Sequence, residues 1–158
     1  MASWLKRLLF RDDPATAAAP GAPAATGHAA PADQPPERDG LNFETAISAH
    51  MAWKKRLDDL LDADLRDVLD PLQVCRDDQC ELGRWLHGPG ALKHGQREGY
   101  QRLRAVHADF HQAAARVVTL AQAGQDAAAR EEMTRGSFAK CSAQVKAELA
   151  RLYLDIGH

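Results

Sequence analysis

The sequence predicts an all-α fold, a helical bundle preceded by a disordered region rich in Pro and Ala. Between Leu41 and Ile156 the apolar residues return every three or four positions, the repeat of helices that each bury one face. Before Leu41, the stretch from Asp12 to Gly40 holds six of the chain's eight prolines, at Pro14, Pro20, Pro23, Pro31, Pro35 and Pro36, and has no apolar periodicity. No strand pattern competes anywhere. A chain of 158 residues has room for one ordinary domain and an appendage. The expected division is a short segment over 1–11, a linker over 12–40 and a folded unit over 41–158.

Residues 1–11 form a short basic amphipathic segment. Trp4, Leu5, Leu8 and Leu9 share one helical side, and Lys6, Arg7 and Arg11 lie towards the other. The apolar run stops at Phe10, too soon for a secretory core or a membrane span. It suits peripheral membrane attachment or docking into a partner's groove, and the plain alternative is a tail without a role, since so short a helix is marginal alone. The linker, treated as a flexible coil, would span roughly 30 Å.

The first long helix is expected from Phe43 to Val68, with Ala46, His50, Trp53, Leu57 and Leu60 as its apolar stripe and the approach to Pro71 as its end. A brief helix follows near Cys80 to Leu86, with Gly83 and Gly88 marking tight neighbours. Beyond Pro89, Tyr100, Leu103, His107, Phe110, Ala114, Val117 and Ala121 make a bundle-type seam that Gly124 ends. Asp126 suits an N-cap, with Arg130 and Met133 following. Gly136 divides this run from a last helix, Ser137 to Ile156.

Four residues stand out chemically. His50, Cys80, His107 and His111 supply the nitrogen and sulfur donors that a closed tetrahedral zinc site requires. His107 and His111 are four apart, so they leave one helix face together. Singly, each has a plainer reading: a helical His pair is common, a His on an apolar stripe is ordinarily a core residue with one hydrogen bond, and a lone Cys is a small hydrophobe. Cys75, five residues before Cys80 in a polar stretch, reads as a non-ligand thiol, and Cys141 as part of the last helix's core stripe. His28, His87, His94 and His158 have no partner at ligand spacing.

His50 followed by Trp53 and Lys54, then Cys80-x-Leu82-Gly83-x-Trp85-Leu86, then His107-x-x-Phe110-His111, closely resembles the chemoreceptor zinc-binding (CZB) domain family, from about Leu41 to Ile156. The resemblance implies a four-helix bundle, here with a short extra helix, usually dimeric and appended to bacterial chemoreceptors or diguanylate cyclases. It implies one Zn2+ per chain on His50, Cys80, His107 and His111, sensing either zinc itself or oxidation of the Cys80 thiolate by hypochlorous acid. No receptor signalling region or cyclase follows, so the expectation is a stand-alone member that acts in trans on such a partner, as a homodimer. Three imidazoles, one thiolate and Zn2+ leave about +1 of formal charge, so Asp64, Asp78 and Asp109 are candidate supporting carboxylates, with Trp53 and Trp85 as supporting rings.

Composition bounds the function from the other side. A net charge of −2, with no basic stripe interleaved with aromatics, argues against nucleic acid. Three cysteines without regular spacing make no disulfide framework, and a zinc thiolate persists best in a reducing cytoplasm, with the inner membrane surface as the site of any peripheral attachment. Neither His-Glu-x-x-His nor paired Glu-x-x-His occurs, and four protein ligands leave no position for water, so no enzyme is expected. The expected function is a zinc-binding sensor in chemotaxis or cyclic-di-GMP control. The alternative is a zinc-stapled dimerisation or scaffold module without sensing.

Overall fold

A computed structural model of the chain describes residues 37–62 and 69–157. It begins with a feature the periodicity does not announce. Strand β1 (Glu37–Arg38) pairs antiparallel with β2 (Leu41–Asn42), Glu37 opposite Asn42 and Arg38 opposite Leu41. The turn is Asp39 and Gly40, with φ of 52° and 81°. A two-residue hairpin loop that follows the strands' twist needs both residues in the left-handed region, and Asp-Gly accepts it readily. The expectation of no strand is therefore corrected, and residues 37–40, assigned by composition to the linker, pair as a hairpin. Strands of two residues are too short to display alternation, so Asp-Gly is their single sequence signal.

Helix α1 (Phe43–Asp62) follows directly, its start capped by the Asn42 side chain, which accepts from the Thr45 N–H at 3.0 Å. It buries Phe43, Ala46, His50, Trp53, Leu57, Leu60 and Leu61. Its expected continuation to Val68 lies outside the described residues, as do the 1–11 segment and most of the 12–40 linker. Prolines then start two short helices that no repeat could reveal. In α2 (Pro71–Val74), Pro71 opens the helix and the Asp70 carboxylate accepts from the Leu72 N–H at 2.9 Å. The expected brief helix is α3 (Glu81–His87), and α4 (Pro89–His94) begins immediately after Gly88, which ends α3.

The spine is α5 (Glu98–Gln122), 25 residues long. It packs most extensively along α7 (Ser137–Asp155); α6 (Asp126–Thr134) lies against both, α1 packs on α7, and α2 packs on α5. Asp126 is the first residue of α6 and Gln125 its cap, one position from the expectation. Gly136 does divide the run. The Glu132 carboxylate accepts from the Ser137 N–H and hydroxyl at 2.9 and 2.7 Å, which starts α7 afresh. The core joins Leu57, Leu82, Leu86, Leu103, Phe110, Phe138, Leu149 and Leu152, each within 1 % of full burial. Among the described residues no helix is long and apolar enough to cross a membrane.

Candidate metal centre

Three elements bring the four singled-out residues together. His50 occupies the buried stripe of α1, and its Nδ1–H donates to the Ala46 carbonyl one turn back, at 2.8 Å. His107 and His111 stand one turn apart on the core face of α5, ring centroids 4.7 Å apart. The His111 Nδ1–H donates to the carbonyl of Val74, the last residue of α2, at 2.8 Å. Cys80 is the N-cap of α3, its Sγ accepting from the Gly83 N–H at 3.2 Å. That sulfur lies 3.3 Å from His107 Nε2.

One ligand atom from each of His50, Cys80, His107 and His111 lies within 4.8 Å of all the others. Bonds of about 2.0–2.3 Å set the edge of a zinc tetrahedron near 3.5 Å, so these donors need only a small contraction to close on one ion. The electrostatics agree. His50, His107 and His111 are at most 4 % exposed, and this burial lowers all three imidazole pKa values, His50 to about 4 from the ordinary 6.5. All three are neutral at pH 7. With the Nδ1 of His50 and of His111 bound to carbonyls, their Nε2 atoms remain buried acceptors without a hydrogen bond, and His107 Nδ1 is also unpartnered. Each unpartnered Nε2 of His50 and His111 costs about 1–3 kcal/mol, a cost that a cation held among the imidazoles offsets.

The sulfur differs from the nitrogens. Burial raises the Cys80 thiol above its ordinary value, opposed by the Gly83 N–H and the nearby Arg84. A bound cation reverses that balance, because it favours the thiolate far more than one hydrogen bond does. Gly83 is required by contact: a Cβ there would sit 1.8 Å from the Asp77 carbonyl oxygen, so the backbone before Cys80 lies directly on the first turn of α3. Gly90 plays the same part for Trp85, whose ring a Cβ would meet at 2.7 Å.

The supporting residues are only partly those expected. Carbonyls of Ala46 and Val74 orient His50 and His111, while the carboxylates were expected to offset the charge of an occupied site. Backbone acceptors carry no residue signature, so they were invisible in the sequence. Asp78 binds Arg76 at 2.8 Å and Gln79 at 3.0 Å, and reaches His111 only through its field. Asp109 is exposed, and Asp64 lies outside the described residues. Trp53 does border the site, edge-on to His111 at 6.2 Å, and Phe110 adds a ring 5.1 Å from His50. Trp85 faces away, its indole N–H donating to the Asp39 carbonyl at 2.9 Å. Cys75 donates to the Leu72 carbonyl, and Cys141 is half-buried against the core. His87 pairs with Asp77 at 2.9 Å and the buried His94 with Asp39 at 2.8 Å, neither in the cluster.

Compared with known proteins, residues 50–118 match the family model of the chemoreceptor zinc-binding domain, a span that contains all four cluster residues. No curated protein and no solved structure matches the chain.

Proposed function

We propose that His50, Cys80, His107 and His111 hold one Zn2+ per chain, and that the occupied site is a regulatory switch rather than a catalyst, a reading supported by the match of residues 50–118 to the chemoreceptor zinc-binding domain model. The observation that carries the reading is the meeting of four donors with buried, unpartnered imidazole nitrogens among them. The ion supplies positive charge that holds Cys80 as thiolate and ties α3 to α1 and α5. The chain's own part is to keep the imidazoles neutral, aim them through the Ala46 and Val74 carbonyls, and present the sulfur from a helix cap.

The switch answers to zinc supply or to hypochlorous acid acting on Cys80, the one half-buried member of the set. The thiolate sulfur attacks chlorine, forming an S–Cl bond and releasing hydroxide; water then displaces chloride to leave Cys–SOH and a proton. Sulfur loses two electrons and chlorine gains them. A sulfenic acid is a poor zinc ligand, so α3 is released from the imidazoles. In this reading α1, α5, α6 and α7 are the four helices of a bundle, the chain is a cytoplasmic homodimer, residues 1–11 provide peripheral attachment, and the output is a chemoreceptor or diguanylate cyclase.

The test is metal content and zinc affinity of the purified protein by chelator competition, with helicity followed during metal removal and brief hypochlorous acid treatment. One zinc per chain that leaves reversibly or on oxidation, with helicity largely kept, supports the switch. Zinc whose removal unfolds the chain, and which oxidant does not release, makes it a structural staple. No bound zinc overturns the reading.

A further inference from the structure

The short helix that carries Cys80 is also the helix to which the start of the folded unit is fastened. Cys80 caps α3, and Trp85 lies on the same seven-residue helix, little more than one turn further. The Trp85 indole N–H donates to the Asp39 carbonyl at 2.9 Å, at the tip of the β1–β2 hairpin. From α4, joined to α3 through Gly88, Lys93 and His94 both hold the Asp39 carboxylate, His94 at 2.8 Å. Phe43, the first residue after the hairpin, packs edge-on to the Trp85 ring at 5.9 Å. Asp39 sits in the left-handed region at φ 52°, which Asp accepts in a tight turn, and these bonds fasten that turn to α3 and α4.

The imidazole donors are anchored differently. His50 and the His107–His111 pair sit on the long helices α1 and α5, which pack chiefly along α7, whereas α3 joins the core through Leu82 and Leu86 and meets α5 where the Tyr100 hydroxyl donates to the Leu86 carbonyl. Helices α3 and α4 are seven and six residues long, so loss of the bond between Cys80 and the site should loosen them before it loosens α5 and α7, and what α3 and α4 grip is the hairpin.

We propose that the Glu37–Asn42 hairpin is the output element of the switch: the state of Cys80 passes through Trp85, Lys93 and His94 to Asp39, and so to the chain that precedes Glu37. The inference rests on the zinc-switch reading above and adds a direction to it. The signal leaves the domain on its N-terminal side.

Hydrogen–deuterium exchange of the full chain, zinc-loaded and after chelation, tests this with zinc content measured in parallel. Removing zinc should speed exchange in the hairpin and α3 by about tenfold, the scale of one lost hydrogen bond, while the α5–α7 core changes by less than about twofold. Trp85→Phe keeps a ring and deletes the indole N–H, and Asp39→Asn removes the charge held by Lys93 and His94 without touching α3. Either variant should bind zinc within about threefold of the parent, yet show fast hairpin exchange in both states, because a single cut in the grip uncouples the hairpin. If zinc binds and leaves but hairpin exchange does not respond, or if core and hairpin open together, the output inference fails while zinc binding stands. If no zinc binds, the reading beneath it fails instead.

Discussion

The two halves of the candidate metal centre are built on unlike foundations. The imidazole half belongs to the core: His50, His107 and His111 lie on helices of 20 and 25 residues, within the same stripes that bury Trp53, Leu103 and Phe110. The thiol half belongs to the cap of a seven-residue helix that enters the core through Leu82 and Leu86 and is held by glycine contacts and by a hairpin. A helix that short has little stability of its own and depends on tertiary contacts. The comparison teaches that the nitrogens stand on long helices and the sulfur on a short one. Loss of the sulfur should leave the fold, whereas loss of an imidazole disturbs both fold and site.

His107→Ala should break this asymmetry most severely. It removes one of four donors and opens a cavity at a fully buried position between α1 and α5, so zinc retention in chelator competition should be lost and the melting temperature lowered. Cys80→Ser is the counterpart. A quarter of the about 10–16 kcal/mol typical of structural zinc is about 3 kcal/mol, so affinity should fall on the order of 10²-fold, with metal-free stability nearly unchanged. Equal losses of metal-free stability in the two variants would erase the distinction between long-helix and short-helix donors.

Gly83→Ala comes next, because the added carbon meets the Asp77 carbonyl oxygen at 1.8 Å and the backbone must move. Overpacking of this kind costs about 1–3 kcal/mol, and since Gly83 N–H also binds Cys80, zinc affinity should drop by about tenfold, measurable in the same competition. Metal-free helicity should be retained, as the long helices are untouched.

Acid sharpens the comparison further. Burial lowers the imidazole pKa values, so in metal-stripped protein the unfolded chain binds protons that the folded chain refuses. Stability is then full above about 6.5 and declines as pH falls towards 4, where His50 begins to titrate in the fold. Urea midpoints between pH 7 and 4 should fall for metal-stripped parent, and fall less for His50→Ala. A flat profile would mean the imidazoles are not held neutral by burial.

The smallest effect belongs to a position remote from the site. Glu132, lowered in pKa chiefly by its hydrogen bond with Ser137, caps the start of α7. Glu132→Gln should cost about 0.5–1 kcal/mol in thermal unfolding and leave zinc affinity as it was.

The helical parts of this chain were legible because their signals are local and repeated. The stripe from Phe43 to Leu60, the seam from Tyr100 to Ala121 and the stripe from Phe138 to Leu152 each declare a buried face through spacing alone. The donor set was legible for a related reason: His and Cys are few in the sequence, and those on core faces are conspicuous. The short elements were not. Helices α2 and α4 are shorter than two turns, and each hairpin strand has two residues, so no period can be counted. Their marks are single junctions, Asp70-Pro71, Gly88-Pro89 and Asp39-Gly40, which read equally well as loop.

By itself, then, the sequence determined that the chain would fold as helices with one buried face each, and that three imidazoles and one thiol were available to a metal. Periodicity and side-chain chemistry are properties of the chain taken residue by residue. Tertiary structure alone decided that these four donors lie within 4.8 Å of one another, that the Ala46 and Val74 carbonyls orient two of them, and that the Trp85 indole bonds the hairpin. Those outcomes depend on which faces meet across α1, α3 and α5, and the distances between faces are set by packing that no single segment contains.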